Sequence, residues 1–299
     1  MTHDSFHGVF PAMTTPFHED ESIDFETLRA NARRLEAAGV DGVVPVGTTG
    51  ESATMTHDEH IEVVEAVVEA VEDVPVIAGS GSNNTKEALE LSRRAEAAGA
   101  DGLLLISPYY NIPEPEGMEH HFRQVADAVD LPQIIYNVPG RTGRNIAVET
   151  AVNLASHENV VGYKAASGDM GRICEVIERT RTEQFTVLSG DDGMTLPVVA
   201  TGGTGCISVA ANVEPERTVA MVHAALADEM DRARELHYEL GPLFRALFVR
   251  TNPIPIKEAM AMRDHHPRTM RSPLSLLDDD SREHLREVLA DLERTDADT

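Results

Sequence analysis

The chain has 299 residues, a net charge of −26 and a hydrophobic content of 41%. This much apolar material is enough for a large core, so the composition excludes a largely disordered chain. The strong negative charge argues against nucleic acid or an anionic membrane as a partner, because both would be repelled.

Lysine is almost absent. The three lysines are Lys86, Lys164 and Lys257, while 22 basic residues are arginine. An acidic surface with so little lysine is typical of proteins from salt-loving organisms, and the alternative is an ordinary acidic cytosolic protein. Any lysine within an apolar strand therefore requires its own explanation.

The two cysteines, Cys174 and Cys206, form neither a disulfide framework nor a metal-ligand spacing. The N-terminal segment Met-Thr-His-Asp-Ser at 1–5 is mostly polar, and no apolar run is long enough for a signal peptide or a membrane span. These features predict a cytoplasmic protein without a metal site.

Short apolar segments alternate with amphipathic segments along most of the chain. The predicted strands are 8–13, 42–46, 75–79, 102–106, 133–137, 160–164, 185–189 and 205–209. The helices predicted between them are 24–38, 56–73, 84–98, 116–129, 147–156, 170–182, 192–200 and 215–228. Two near-repeats, EAAGVDG at 36–42 and EAAGADG at 96–102, place Gly39 and Gly99 where a helix ends in a left-handed residue.

Eight strand–helix units with uniformly apolar strands predict a parallel sheet closed into a (β/α)8 TIM barrel. A doubly wound sheet is disfavoured because no glycine-rich GxGxxG motif follows the first strand. Helical patterns alone follow residue 230, near 231–249, 255–264 and 279–294. We therefore expect a barrel over residues 1–230 and a C-terminal helical region over 231–299.

Active sites of such barrels lie at the carboxyl ends of the strands. Lys164 ends the sixth predicted strand, after the mostly apolar residues 160–163. Burial there would favour the neutral amine, which is the form that a Schiff-base nucleophile requires. The alternative is a lysine paired with a carboxylate such as Asp191. The scarcity of lysine elsewhere favours the nucleophile.

Neighbouring strand ends carry further polar groups. The turn at 47–50, Gly-Thr-Thr-Gly, presents amides and hydroxyls suited to a carboxylate. Tyr136 is placed to move protons to and from an imine, and Arg141 is suited to a second carboxylate. The plain alternatives are an ordinary turn, a packing tyrosine and a solvated arginine.

Two other kinds of site have weaker support. The glycine-rich segment 202–205 lies where many barrels bind phosphate, but the nearby Asp191 and Asp192 would repel that group. His57 and His60 lie three residues apart on a predicted helix, with no evident third metal ligand. A polar helix face explains the two histidines better.

With these residues in place, the chain resembles the pyruvate-dependent class I aldolase family, which includes N-acetylneuraminate lyase. The resemblance covers nearly the whole chain, although Ala165 stands where the family commonly has Glu. It is carried by GTTGESAT at 47–54, SPYYN at 107–111, YNVPGRTG at 136–143, GYKAASGD at 162–169, LSGDD at 188–192, GGTGCISVAANV at 202–213 and NPIPIK at 252–257.

The resemblance implies an imine between Lys164 and pyruvate, with no separate cofactor. It implies a proton relay of Tyr136, Thr48 and Tyr110, in which Tyr110 comes from a neighbouring subunit of a homotetramer. The substrate-binding residues that it implies are Thr49, Arg141, Gly190 and Ile207.

The reaction that the resemblance implies condenses pyruvate with L-aspartate 4-semialdehyde to give 4-hydroxy-tetrahydrodipicolinate, in lysine and diaminopimelate biosynthesis. The YNVPGRTG and NPIPIK motifs favour this branch over the sialic acid lyases and the keto-deoxy-gluconate aldolases. The alternative is a related pyruvate aldolase that acts on a sugar-derived 2-keto-3-deoxy acid. More remote alternatives are a phosphate-ligand isomerase and a non-catalytic barrel.

Some members of this family are inhibited by L-lysine, which binds at a dimer interface. The resemblance therefore implies an allosteric lysine site and gives the histidine pair a role that involves no metal. The matching positions are Ser52, Ala53, His57, His60, Asn83, Glu87 and Tyr109.

Overall fold

The computed structural model describes residues 6–297, and the side chains of residues 6–294; the predicted polar start at residues 1–5 therefore lies outside the described part. Seven short strands, almost entirely buried, form its central sheet. They are β1 (Gly8–Pro11), β2 (Ile77–Gly79), β3 (Gly102–Ile106), β4 (Gln133–Asn137), β5 (Val160–Ala165), β6 (Thr186–Ser189) and β7 (Gly205–Ser208).

The sheet closes through the segment predicted as a strand at 42–46. The seven strands are parallel, in the order β1-β7-β6-β5-β4-β3-β2. Val44 bridges to Ala12 beyond β1, and Val43 bridges to Val76 before β2, so this segment joins the two edges. It does not extend into a full strand because Val46 turns into the left-handed region, with φ 51°. The eight parallel segments confirm the predicted barrel.

Helices cover the outside of this barrel, and several begin at side-chain caps. Asp24, Thr56, Asn84 and Asp169 each accept a backbone N–H in the first turn of the helix that follows. The helices are α1 (Phe25–Ala37), α2 (His57–Val68), α3 (Thr85–Ala97), α4 (Pro115–Ala126), α5 (Pro139–Thr142), α6 (Val148–Ala155), α7 (Met170–Thr180), α8 (Thr195–Ala200), α9 (Pro215–Leu226), α10 (Met230–Ala246), α11 (Ile254–Met262) and α12 (Asp279–Ala297).

The C-terminal helices α10 to α12 pack against the barrel. Leu240, Ile256 and Leu289 from these helices lie in one apolar cluster with Val9 of β1 and Cys206 of β7. Helix α11 is the most buried of the three, and it brings the NPIPIK motif close to the turn at 47–50. The division of the chain at residue 230 remains a prediction.

Candidate active site

Lys164 lies in the interior of the barrel mouth. In the register of the sheet it stands opposite Tyr136 of β4 and Leu188 of β6, and both neighbours belong to the apolar cluster that fills the barrel. Only 6% of Lys164 is exposed, and its Nζ lies 4.2 Å from the centroid of the Tyr136 ring. Burial lowers the pKa of Lys164 to about 7, which makes the neutral amine available near neutral pH.

Among the charged side chains, Asp192 rather than Asp191 has the largest effect on the pKa of Lys164. Among the described residues, no carboxylate oxygen lies within 4.0 Å of Lys164 Nζ, so the lysine has no ion-pair partner there. Asp192 opposes the fall of the Lys164 pKa from a greater distance. Its own carboxylate accepts hydrogen bonds from the Ser208 hydroxyl and from the Val209 and Ala210 amides. Lys164 is therefore a buried amine without a salt bridge.

Tyr136 and Thr48 lie together beside the lysine. Tyr136 is 7% exposed, and burial raises its pKa to about 12, against the opposing effects of the Arg141 charge and a hydrogen bond with Thr48. The phenol is therefore protonated at neutral pH and is able to donate a proton. The structure thus brings together two members of the predicted relay and the lysine that they would serve.

The turn at 47–50 is connected to the C-terminal region by Asn252. Asn252 Nδ2 donates to Thr49 Oγ1 at 2.9 Å, and the Asn252 carbonyl accepts from Arg141 Nη2 at 2.8 Å. Thr49 is 2% exposed, and this hydrogen bond occupies only a lone pair of its oxygen, so the hydroxyl hydrogen remains a donor. Arg141 itself is exposed at the rim. Sequence reasoning used Asn252 only as part of a family motif and missed this contact.

Gly190 and Ile207 line the barrel from β6 and β7. A Cβ atom on Gly190 would lie 2.9 Å from Lys164 Cε and 2.9 Å from Ala166 Cβ, so only glycine leaves room for the lysine side chain. The Gly190 amide donates to the carbonyl of Ala165. Ala165, which stands where the family commonly has Glu, is buried. Ile207 is 1% exposed in β7.

Tyr110 is the predicted catalytic residue that its own chain leaves outside the site. It follows β3 in the left-handed region, with φ 67°, and is 88% exposed. The adjacent Tyr109 is 36% exposed and lines the cavity described next. The two neighbouring tyrosines therefore point in different directions.

A cavity of about 520 Å³ joins the mouth of the barrel to most of the predicted lysine site. Thr48, Tyr136, Arg141 and Asn252 line one part of it. The lysine-site residues that line it are Ser52, Ala53, His57, His60, Glu87 and Tyr109. The remaining predicted residue, Asn83, is not part of this lining, although its carbonyl accepts a hydrogen bond from Asn111.

The histidine pair is arranged unlike a metal site. His60 is 5% exposed, and its Nε2 lies 2.6 Å from the carbonyl oxygen of Gly79. Burial lowers the pKa of His60 to about 4. Within residues 6–294 there is no group of three or more His, Cys, Asp or Glu side chains able to hold a metal ion.

The described helices also include none that is both long and apolar enough to cross a membrane.

Comparison with known proteins gives concordant matches over almost the full length. The model of the dihydrodipicolinate synthetase family matches residues 5–292. A 4-hydroxy-tetrahydrodipicolinate synthase of Natronomonas pharaonis is 79% identical, over 98% of this chain and 100% of that protein. The synthase of the same name from Haloarcula marismortui is 70% identical, over 99% and 97%. Both relatives come from halophilic archaea, as the acidic, lysine-poor composition predicted.

Solved structures agree with these matches. The dihydrodipicolinate synthase of Acinetobacter baumannii complexed with pyruvate is 38% identical, with a TM-score of 0.94 over 96% of this chain and 99% of that one. The enzyme of Cyanidioschyzon merolae with lysine bound is 36% identical, with a TM-score of 0.92 over 96% and 98%. Sequence, fold and the buried lysine at the barrel mouth thus lead to one conclusion: the chain belongs to the dihydrodipicolinate synthetase family.

Proposed function

We propose that this chain is a lyase that condenses pyruvate with L-aspartate 4-semialdehyde to give 4-hydroxy-tetrahydrodipicolinate, in lysine and diaminopimelate biosynthesis. The observation that carries the proposal is Lys164, a buried amine with a pKa of about 7, next to a protonated phenol. The names of the relatives at 79% and 70% identity support the choice of substrates.

The first half of the reaction attaches pyruvate to the protein. The neutral Lys164 amine attacks the ketone carbon, and a C–N bond forms while the oxygen becomes a hydroxyl. Tyr136, resupplied with protons through Thr48, protonates that hydroxyl, which leaves as water and gives the imine. Thr49 and the neighbouring amides hold the pyruvate carboxylate, and the main chain at Gly190 and Ile207 completes the pocket. Loss of a proton from the methyl carbon then gives the enamine.

The second half makes the carbon–carbon bond. The enamine carbon attacks the aldehyde carbon of L-aspartate 4-semialdehyde, whose oxygen takes up a proton. Arg141, at the rim of the cavity that Thr48 and Tyr136 also line, binds the carboxylate of this substrate. The amino group of the substrate then attacks the imine carbon, closes the ring and releases Lys164 as the free amine. The water lost overall is the one expelled when the imine formed.

The direct test is trapping of the imine with borohydride. Incubation with pyruvate and borohydride should add a pyruvate-derived group to the peptide that contains Lys164, as seen by mass spectrometry. Because protonated lysine is not nucleophilic, trapping should increase with pH through a midpoint near 7, where Lys164 titrates. The measurement belongs in molar KCl, which screens the repulsion within a chain of charge −26.

The chain contains its own controls, since Lys86 and Lys257 are its only other lysines. Neither of their peptides should carry the adduct. Absence of an adduct on Lys164 would contradict both this function and the related sugar-acid aldolase. Turnover of keto-deoxy-gluconate or N-acetylneuraminate in preference to aspartate semialdehyde would retain the imine and overturn the choice of second substrate.

We also propose that L-lysine inhibits this enzyme from the part of the cavity lined by Ser52, His57 and Glu87. The carboxylate of Glu87 suits the ammonium groups of lysine, and the relative from Cyanidioschyzon merolae is named with lysine bound. Activity should fall when millimolar L-lysine is added, and His57→Ala should weaken that inhibition. Unchanged activity at saturating lysine would contradict the proposal.

The homotetramer and the cytoplasmic location remain predictions from the resemblance and the composition. The exposure of Tyr110 supports assembly, because a catalytic tyrosine that its own chain leaves in solvent would be completed by a second copy. One relative, in contrast, is named as a monomeric dihydrodipicolinate synthase variant.

A further inference from the structure

A buried ion pair lies behind the turn at 47–50 and takes no part in the chemistry above. It joins Glu51, at the end of that turn, to Lys257 of α11, and both residues are 2% exposed. Lys257 Nζ donates to Glu51 Oε1, while Glu51 Oε2 accepts from the Arg271 amide at 3.3 Å. The Phe17 ring covers the pair, with its centroid 4.3 Å from Lys257 Nζ. The two partners are 206 positions apart in the sequence, so the pair is a long-range connection.

Stability alone is a weak explanation for such a pair. Removing two charges from water is so unfavourable that well-packed apolar residues often replace a buried pair without loss. A chain with three lysines nevertheless places one of them here. The pair therefore points to a requirement for position rather than for stability.

The backbone of the turn at 47–50 shows why its position needs to be held. Val46 and Glu51, which flank residues 47–50, have φ angles of 51° and 56°, in the left-handed region that side chains other than glycine rarely adopt. Such residues keep this conformation only when their surroundings hold them there. For Glu51, Lys257 and the Arg271 amide hold the carboxylate, and the backbone N–H donates to the carbonyl of Thr48 at 3.1 Å. The conformation of Glu51 in turn directs the segment that carries Thr48 and Thr49.

We propose that Lys257 is a positioning residue, whose ion pair with Glu51 holds the 47–51 loop so that Thr48 and Thr49 face bound pyruvate. The inference rests on the proposed function, because it assigns the loop to the pyruvate carboxylate and to the proton relay. Lys257 itself touches no reacting atom. Its effect should therefore appear first in how well pyruvate binds through Thr49, with a smaller loss of kcat from the displaced Thr48 hydroxyl.

The test compares Lys257→Met with Glu258→Gln in the full-length protein. Glu258 is the next residue of α11, is 3% exposed, and forms its ion pairs with Arg268 and Arg282 rather than with the loop. Lys257→Met should raise the KM for pyruvate about tenfold with kcat reduced less than about threefold, since it weakens substrate placement. Glu258→Gln should lower the melting temperature and leave the KM for pyruvate unchanged.

Glu51→Gln keeps the inference testable if Lys257→Met does not fold. The amide still accepts a hydrogen bond from Lys257 but loses the charge attraction, so a smaller rise in the KM for pyruvate is expected. An unchanged KM for pyruvate in whichever of these two variants folds would overturn the inference. Failure of the wild-type protein to form the borohydride adduct would instead overturn the proposed function, so the two failures are distinguishable.

Discussion

The reactivity of Lys164 is set by what surrounds it. Its pKa is lowered by burial, and the structure gives it an aromatic ring and a glycine as close neighbours instead of a carboxylate. Gly190 belongs to the same arrangement, because a methyl group there would overlap the lysine side chain. Exclusion of water and the lack of a close anion therefore make the neutral amine accessible near pH 7, as an imine-forming lysine requires.

Substitution of Arg141 should affect the use of aspartate semialdehyde much more than the binding of pyruvate. Arg141→Ala should raise the KM for aspartate semialdehyde at least tenfold, because a charge-assisted contact with a carboxylate contributes about 1.5–3 kcal/mol. Borohydride trapping of pyruvate should change less than about twofold, since Arg141 lies at the rim and not at the lysine. Steady-state kinetics and trapping on the same preparation measure both effects.

Arg144→Ala is the matched control for that substitution. Arg144 lies three residues further along, and its Nη1 is 2.7 Å from Glu114 Oε2 on the surface. The KM for aspartate semialdehyde should not change in this variant. Equal loss of pyruvate trapping and aldehyde use in Arg141→Ala would contradict the role assigned to Arg141.

At the scale of elements, the two near-repeats explain how adjacent strand–helix units are joined. Gly39 and Gly99 adopt φ angles of 82° and 90°, which confirms the predicted left-handed helix ends. Asp41 and Asp101 use their carboxylates to accept the Val9 and Val76 amides of the preceding strand segments. The repeated sequence thus satisfies backbone donors of a neighbouring unit at the amino-terminal face of the barrel.

The glutamates at the start of the near-repeats also accept backbone hydrogen bonds from neighbouring units. Glu36 accepts from the amides of Glu72 and Asp73, and Glu96 accepts from that of Asp130. Each glutamate therefore fixes the loop that follows the next helix. The local pattern predicted the helix ends, whereas these partners became identifiable only when consecutive units lay side by side.

At the scale of the whole molecule, the acidic surface and the exposed Tyr110 are properties that one barrel does not explain by itself. The negative charge suits a high-salt environment, in which ions screen the repulsion between surface carboxylates. Tyr110 is strained as well as exposed, with φ 67°. Residues held in this conformation cluster at functional sites, which agrees with the role predicted for Tyr110.

If Tyr110 serves the site of a second copy, two inactive variants should restore one another. Tyr110→Phe and Lys164→Ala proteins, mixed under conditions that exchange subunits, should recover about one quarter of the sites, because half of the pairs are mixed and each has one complete site. Recovered activity on mixing is the measurement. Each variant incubated alone is the control, and no recovery despite demonstrated subunit exchange would contradict a relay shared between subunits.

The sequence by itself determined the barrel, its helices and the lysine at its mouth. These features depend on apolar periodicity, on helix caps and on the rule that strand ends converge, all of which are readable over short stretches of chain. Lys164 and Tyr136 were predictable together because neighbouring parallel strands place their ends side by side.

Only the tertiary structure decided which distant groups complete the site. Asn252 meets Thr49 across 203 residues, and Lys257 meets Glu51 across 206. The same holds for the segment at 42–46, which forms two bridges and no full strand because the chain turns at Val46 into the 47–50 turn. Contacts of this kind depend on how α11 packs against the barrel, and no local pattern of residues encodes that packing.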